Sequence, residues 1–408
     1  MECPVKNIDL LTPTSLENPF SIFKKLRRET PVLYSPNINM YLISKYEDID
    51  CILSDPELFS AANVSQPIQP MCPEAAGLLG PRFNPQPMLA GCDPPRHTIQ
   101  RRSVRKALNP KLLREIGVRI RGQAEQLIDD MIKKTEFDLV ADLASPLTAS
   151  IGLDAAGYPL EDMESFLRWN ANRVVYIWGH TTLEEQKQIA QNIRTHWEYA
   201  EDRVKFLWDQ LDDSIISELI RAHKEQPEEL SVDEVVSAAF ALVTASHETT
   251  TNAITNGIYN LMRYREQWHK LCDDPSLVAN AVEEALRFEG SVTSWRRRAK
   301  KATVISGVPI PEGADLLLLF GSANRDPDKF EDPESFDIMR NNAKEHLTFG
   351  KGIHMCSGMQ LARTQMQAVF EILSQKAPDL MLVKPQDVEY SPNIALHGPL
   401  RLMMRLGG

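Results

Sequence analysis

Cysteine is scarce in this chain of 408 residues: there are six, at positions 3, 51, 72, 92, 272 and 356, and none forms a CxxC pair. That spacing excludes a zinc ribbon or a thioredoxin-type motif and fits free thiols in a reducing compartment. Long apolar runs are missing too; nothing reaches the roughly 18 residues that a membrane-spanning helix needs. The opening residues, MECPVKNIDLLTPTS, have neither a basic start nor an apolar stretch, so no secretory signal is expected and the expected location is the cytoplasm. Basic residues are outnumbered, 45 Lys and Arg against 56 Asp and Glu, a net charge of −11. Such a chain has no overall pull toward nucleic acid or an anionic membrane. The length would allow two or three domains, but neither an internal repeat nor a Gly/Ser linker divides it, so residues 1–408 are expected to form one.

What is present is mostly helical. SIFKKLRRE, YEDIDCILSD and the segment 110–133 place apolar residues three or four apart, whereas PVLYS, MYLIS, TVISG and DLLLLFG read as short strands near the two ends. The expected fold is mainly α with small β-sheets at one side. A proline-rich stretch over 64–95 is expected to be an irregular lid that packs through Ile68, Met71, Leu78, Leu79, Phe83, Met88 and Leu89. Ser231 and Glu234 read as a capping box opening a long helix over 232–264.

The densest chemistry lies in FGKGIHMCSG, residues 349–358. Gly350-Lys351-Gly352 begins like a dinucleotide fingerprint, but Met355 stands where the third glycine should be. A phosphate loop fails as well, because Lys351 is followed by Gly352 and not by Ser or Thr. From Met359 onward apolar residues recur at helical spacing, so Cys356 falls where a loop enters a helix, within a unit spanning 346–375. Amide groups and the helix dipole there are expected to stabilise a thiolate, and glycines let the backbone approach a flat ligand. A buried structural cysteine, a nucleophile working with His354 or His346, and a soft metal ligand all remain open on this evidence.

The order of the segment resembles Phe-Gly-x-Gly-x-His-x-Cys-x-Gly of the bacterial cytochrome P-450 family, the haem-thiolate monooxygenases, with Phe349, Gly350, Gly352, His354, Cys356 and Gly358 at its defining positions. HLTF before it and LAR after it are similar as well. Ala245-Ser246-His247-Glu248-Thr249-Thr250 resembles the family's oxygen groove, which implies that Glu248 and Thr249 relay protons to dioxygen and that Ala245 lies against the cofactor. Ser246 stands where the family usually has glycine, a departure that leaves the groove's width and water content open though not its existence. Glu284-Ala-Leu-Arg287, some seventy residues before the cysteine, resembles the ExxR helix, and with Arg340 it implies a buried brace for the cysteine loop. His97 and Arg101, one helical turn apart, match the family's haem-carboxylate contacts, as do Arg297 and His354.

The resemblance implies a single haem domain of the cytochrome P-450 fold, closest to the haem domains of the self-sufficient subgroup and their stand-alone thiocarbamate-degrading relatives. It implies haem b bound through Cys356, whose sulfur favours O–O cleavage, with O2 as oxidant and NAD(P)H as electron source. The chain holds no flavin or nicotinamide fold and no cysteine-rich ferredoxin segment, so a separate ferredoxin or flavodoxin with its reductase is expected, docking near Arg102, Arg105, Lys106 and Lys351. Residues 169–179 (WNANRVVYIWG), Phe240, Val243, Thr244, Val292, Thr293 and Ile394 are expected to wall an apolar pocket for a small or medium hydrophobic substrate, an aromatic ether or xenobiotic. Hydroxylation or dealkylation is the expected reaction; a natural-product tailoring enzyme of the same family is the alternative. A haem sensor would lack the acid–threonine pair that is present.

Overall fold

A computed structural model describes residues 8–384 and 386–407; Cys3 lies outside them. The helices that shape the molecule's centre are α1 (Tyr46–Ser54), α2 (Arg96–Ala107), α3 (Pro110–Met131), α4 (Ser145–Ala156), α5 (Arg173–Trp178), α6 (Leu183–Asp209), α7 (Ile215–Glu225), α8 (Val232–Arg263), α9 (Val278–Glu289) and α10 (Met359–Lys376). Among the described residues the strands are β1 (Val32–Ser35), β2 (Met40–Ile43), β3 (Phe59–Ser60), β4 (Phe137–Asp138), β5 (Trp295–Ala299), β6 (Thr303–Ile305), β7 (Val308–Ile310), β8 (Asp315–Leu318), β9 (Leu380–Leu382) and β10 (Met403–Leu406). A five-stranded sheet runs in the order β1-β2-β8-β5-β3, a three-stranded one in the order β4-β10-β9, and β6 pairs with β7. In the first, β2 and β8 are parallel, Tyr41 opposite Leu316, so the N-terminal hairpin is joined to the C-terminal half by non-local pairing. The four strands read from the sequence are all in these sheets, and the fold is mainly α with small sheets, as expected.

The largest core is helical and lies around α8, which packs on α4, α6, α9 and α10. Its start is fixed by the capping box: Ser231 Oγ accepts from Glu234 N at 3.3 Å, and Glu234 Oε2 accepts from Ser231 N at 2.9 Å. Three threonines in succession would weaken an isolated helix. Here Thr249, Thr251 and Thr255 return their hydroxyls to the carbonyls of Ala245, His247 and Thr251 at 2.8, 3.0 and 2.8 Å, and the helix continues to Arg263.

The 64–95 stretch carries short helical turns at Pro73–Ala76, Gly77–Leu79 and Leu89–Gly91. Leu79, Phe83, Met88 and Leu89 pack on the main core and Ile68 on a second cluster. The Phe83 ring lies 5.2 Å from Trp197 of α6 and 6.1 Å from Phe240 of α8. Backbone bonds from Ile68 N to Ile177 O (3.1 Å) and from Gln86 N to Ser237 Oγ (2.9 Å) tie it to α5 and α8. Among the described residues no helix is long and apolar enough to cross a membrane.

Candidate functional site: a thiolate loop opposite an acid-bearing helix

The cysteine loop turns on two glycines with left-handed backbone, Gly350 (φ 67°) and Gly352 (φ 68°). At Gly352 a side chain is excluded twice, since its Cβ would also lie 2.4 Å from the Leu53 carbonyl in the last turn of α1. Cys356 N donates to Phe349 O at 2.9 Å, closing the loop just ahead of α10. The Phe349 ring is held under the Arg363 guanidinium, 4.7 Å from its centre, and Arg363 is in turn clamped by Glu283 at 2.6 and 2.9 Å. Gly358 keeps the space beside the sulfur small: a Cβ there would sit 4.0 Å from Cys356 Sγ.

Cys356 is exposed, yet burial by surrounding protein pushes its thiol pKa up, against the amides of Gly358 and Met359 and the charges of Arg101 and Arg363 that pull it down. The two facts agree if the sulfur opens on an internal cleft. The amides at the helix start favour the thiolate, while desolvation opposes it.

The brace is laid out as a buried network. Arg287 donates to both carboxylate oxygens of Glu284, at 2.7 and 2.8 Å, and to the carbonyls of Asn324, Pro333 and Ser335 at 2.9–3.0 Å. Arg340 reaches Glu284 at 3.2 Å and donates to the carbonyls of Glu331, Asp332 and Ser335. Neither Glu284 nor Arg287 is accessible, and every donor has an acceptor, which is what makes a buried ion pair tolerable.

Helix α2 meets the loop from the other side. Arg101 Nη1 donates to Ser357 Oγ at 2.7 Å, and the His97 and His354 rings lie 4.2 Å apart. His354 Nδ1 is taken by the Leu89 carbonyl at 3.2 Å, and His97 is bonded to the backbone of Ile353. The remaining Nε2 of each ring is buried with no partner. Arg297, on β5, is buried and donates to its neighbour's carbonyl at 2.7 Å, with no ion pair at contact distance among the described residues. Burial lowers the pKa of Arg297 to about 10 and of His354 to about 3. Two orphaned ring nitrogens beside a buried arginine are polar groups that an anionic ligand would satisfy, donating to it once the rings are protonated.

On α8, Ala245 is exposed in mid-helix and Glu248 is only partly accessible, with its pKa raised to about 7 by desolvation and by nothing else. Thr249 donates to the Ala245 carbonyl and keeps its lone pairs free. His247 turns away, its Nε2 3.1 Å from Ser145 Oγ. Ser246 also turns away: its hydroxyl donates to Val243 O at 3.1 Å and lies 2.4 Å from where a Cβ on Gly152 of α4 would be. The serine is accommodated by a glycine on the facing helix.

Among the expected wall residues, Phe240 and Val243 are buried on α8, and the Thr244 hydroxyl is bonded to Asn170. Val292 stays partly accessible and bridges to Leu396. Thr293 is buried with its hydroxyl on the Ile394 and Ala395 carbonyls, and Ile394 is sealed in the second apolar cluster. Two further residues carry no signal in the sequence: Arg173, which has no counter-ion among the described residues, and His196, which is buried with both ring nitrogens unpartnered. Their missing partners are a tertiary property.

A reactive sulfur at a helix start, orphaned donors for a dianionic ligand beside it, and a neutral-range acid on the neighbouring helix fit a haem-thiolate protein. The chain belongs to the cytochrome P450 family, whose model matches residues 16–376. It is 33% identical to cytochrome P450 CYP107DY1 of Priestia megaterium over 92% of both chains. An intact type IV self-sufficient cytochrome P450 monooxygenase superposes with a TM-score of 0.95 at 33% identity, covering 99% of this chain and 53% of that longer one. Cytochrome P450 CREJ in complex with (4-ethylphenyl) dihydrogen phosphate gives 0.94 at 34% identity, covering 97% and 99%. The chain is thus a haem-dependent monooxygenase of this family, which uses haem b, O2 and electrons from NAD(P)H passed through redox partners.

Proposed function

We propose that this enzyme inserts one oxygen atom of O2 into a small or medium-sized apolar substrate, by hydroxylation or by O- or N-dealkylation, with electrons delivered by a separate ferredoxin or flavodoxin and its reductase. The observation that carries the reading is an enclosed yet accessible cysteine at the start of α10, next to a helix whose acid titrates near neutrality.

Haem, when bound, supplies dioxygen activation at its iron. Cys356 would be its sulfur ligand, bound as the thiolate. His97, Arg101, Arg297 and His354 would hold its carboxylates, which would satisfy the two orphaned Nε2 atoms, and Ala245, Phe349 and Gly358 would contribute to its binding site. Glu248 keeps a proton available at neutral pH because burial opposes its ionisation, and it passes that proton toward the Thr249 hydroxyl, whose lone pairs can accept it. The Glu284–Arg287–Arg340 network fixes the chain leading into the cysteine loop and touches no reactant.

Phe240, Val243, Thr244, Val292, Thr293 and Ile394 form the walls, the last two from behind. An aromatic substrate is supported by the aryl ligand of the CREJ complex. Partner docking is assigned to the outer face of α2 and the cysteine loop. There Arg102, Lys106 and Lys351 pair with Glu229, Glu225 and Asp50, while Arg105 is exposed and pairs with no described residue. Surface pairs of this kind are worth roughly 0–1 kcal/mol and exchange readily for an acidic partner.

The test is spectroscopic. Reduced protein under carbon monoxide is expected to show the strongly red-shifted Soret band of thiolate-ligated haem; a protein that cannot be reconstituted with haem would overturn the assignment. Aromatic ethers should then shift the spin state of the ferric protein and be turned over with a ferredoxin or flavodoxin system.

A further inference from the structure

Arg173 opens α5 immediately after Asn172, which holds a left-handed backbone (φ 59°). Its guanidinium lies 3.9 Å above the Phe240 ring and donates through Nη1 to Thr244 Oγ1 at 3.1 Å; the Thr244 hydroxyl is itself committed to Asn170 Oδ1. No carboxylate among the described residues comes within ion-pair distance of it. Other buried arginines are satisfied in a different way: Arg287 by Glu284, Arg325 by Glu334, and Arg296 by the carbonyls of Gln66 and Ile177. Arg173 has one hydroxyl and a ring face, and Nε and Nη2 donate to no described residue. Burial alone lowers its pKa, to about 10, which leaves it charged at neutral pH.

The side chain is partly accessible although protein surrounds it, so it lines an interior space. Next to it His196, stacked at 6.0 Å on Trp169 and 4.6 Å from Phe240, is held neutral, chiefly by burial and further by the Arg173 charge. Glu248 does not serve as the counter-ion, since desolvation is the only influence on its titration and a nearby cation would have opposed it. A cation enclosed without an anion is costly unless a ligand brings one.

We propose that Arg173 anchors an oxyanion head group, carboxylate or phosphate, of the substrate, so that the enzyme oxidises amphipathic acids with an apolar aryl or alkyl body. This rests on the cleft being the substrate pocket. Thr244 precedes Glu248 by one helical turn and Phe240 by two, which at 1.5 Å per residue is about 6 and 12 Å. An oxyanion on the free Nε and Nη2 edge therefore lays the body along α8, and the carbon roughly 6–12 Å from the charge comes beside the Ala245–Thr249 turn. Phe240, the Trp169 ring and Val243 give that body an apolar bed.

The test uses the haem-loaded enzyme and four probes: 4-ethylbenzoate and 4-ethylphenyl phosphate, with neutral 4-ethylbenzamide and 4-ethylanisole as their partners. Affinities are read by calorimetry and by the Soret shift. At least one anion should bind about 10–100-fold more tightly than its neutral partner, the scale of a charged hydrogen-bonded pair, and which anion does so identifies the head group. Arg173→Gln should erase that margin and leave the neutral probes unchanged. No anionic preference in the wild type, or a preference that survives Arg173→Gln, overturns the proposal. If the glutamine variant does not retain haem, Arg173→Lys, which keeps the charge and loses the planar fork, should narrow the margin; an unchanged margin overturns it equally. The carbon monoxide spectrum of the same wild-type preparation reports separately on the monooxygenase reading.

Discussion

The two sides of the site are built on opposite terms. Behind the cysteine loop every charge is answered: Glu284 is shared by Arg287 and Arg340, Glu283 by Arg363 and His346, and Arg287 donates to three carbonyls besides. On the facing side Glu248 and Arg173 stand without counter-ions, and His196 has no hydrogen-bond partner. A fully satisfied network is rigid, because each bond lost leaves a buried group unpaired. Unsatisfied groups do the reverse; they hold free energy in reserve for a proton or a ligand. The ligand-bearing loop must not move, and the reacting side must respond.

The contrast can be broken by substitution. Cys356→Ala should have the largest effect, abolishing the thiolate spectrum and turnover while the protein still folds; retention of both would remove the foundation of the assignment. Next, Arg287→Leu leaves Glu284 buried with half its partners and should cost about 3–5 kcal/mol in urea unfolding, together with poor haem retention. On the facing side, Glu248→Gln should change the pH dependence of stability. The folded carboxyl titrates at about 7 against 4.5 unfolded, so between those values the folded chain binds more protons and stability falls as pH rises. The fall is at most about 3 kcal/mol, and it should be absent in the glutamine variant; parallel curves would show that the acid is not desolvated.

Smaller effects sharpen the same comparison. Gly152→Ala drives a methyl into Ser246 Oγ and should cost about 1–3 kcal/mol. Adding Ser246→Gly should restore most of it, and additivity in that double-mutant cycle would deny the contact. Least of all, Arg105→Glu should slow reduction by an acidic partner severalfold at low salt, with the difference fading as salt is added and stability unchanged.

The thiolate side was legible in the sequence because its parts are local: FGKGIHMCSG sits in one loop, and the ExxR pair is three residues apart on one helical face. The long helix over 232–264 was legible as well, since its capping box and apolar period are written consecutively. The pocket was less so. The Thr293 hydroxyl is taken up by the Ile394 and Ala395 carbonyls, about a hundred positions away in the chain, and nothing near either residue announces that pairing. Ser246 was legible as a departure, but its meaning depended on Gly152, nearly a hundred residues earlier.

Sequence alone determined the helical class, the short strands, the sulfur at position 356 and the acid–threonine turn, because each is a matter of residue type at short spacing. Tertiary structure decided which charges found partners. Pairing is settled by what other elements bring within about 3 Å of a buried group, and only the assembled chain could leave Glu248, Arg173 and His196 unanswered while satisfying Glu284.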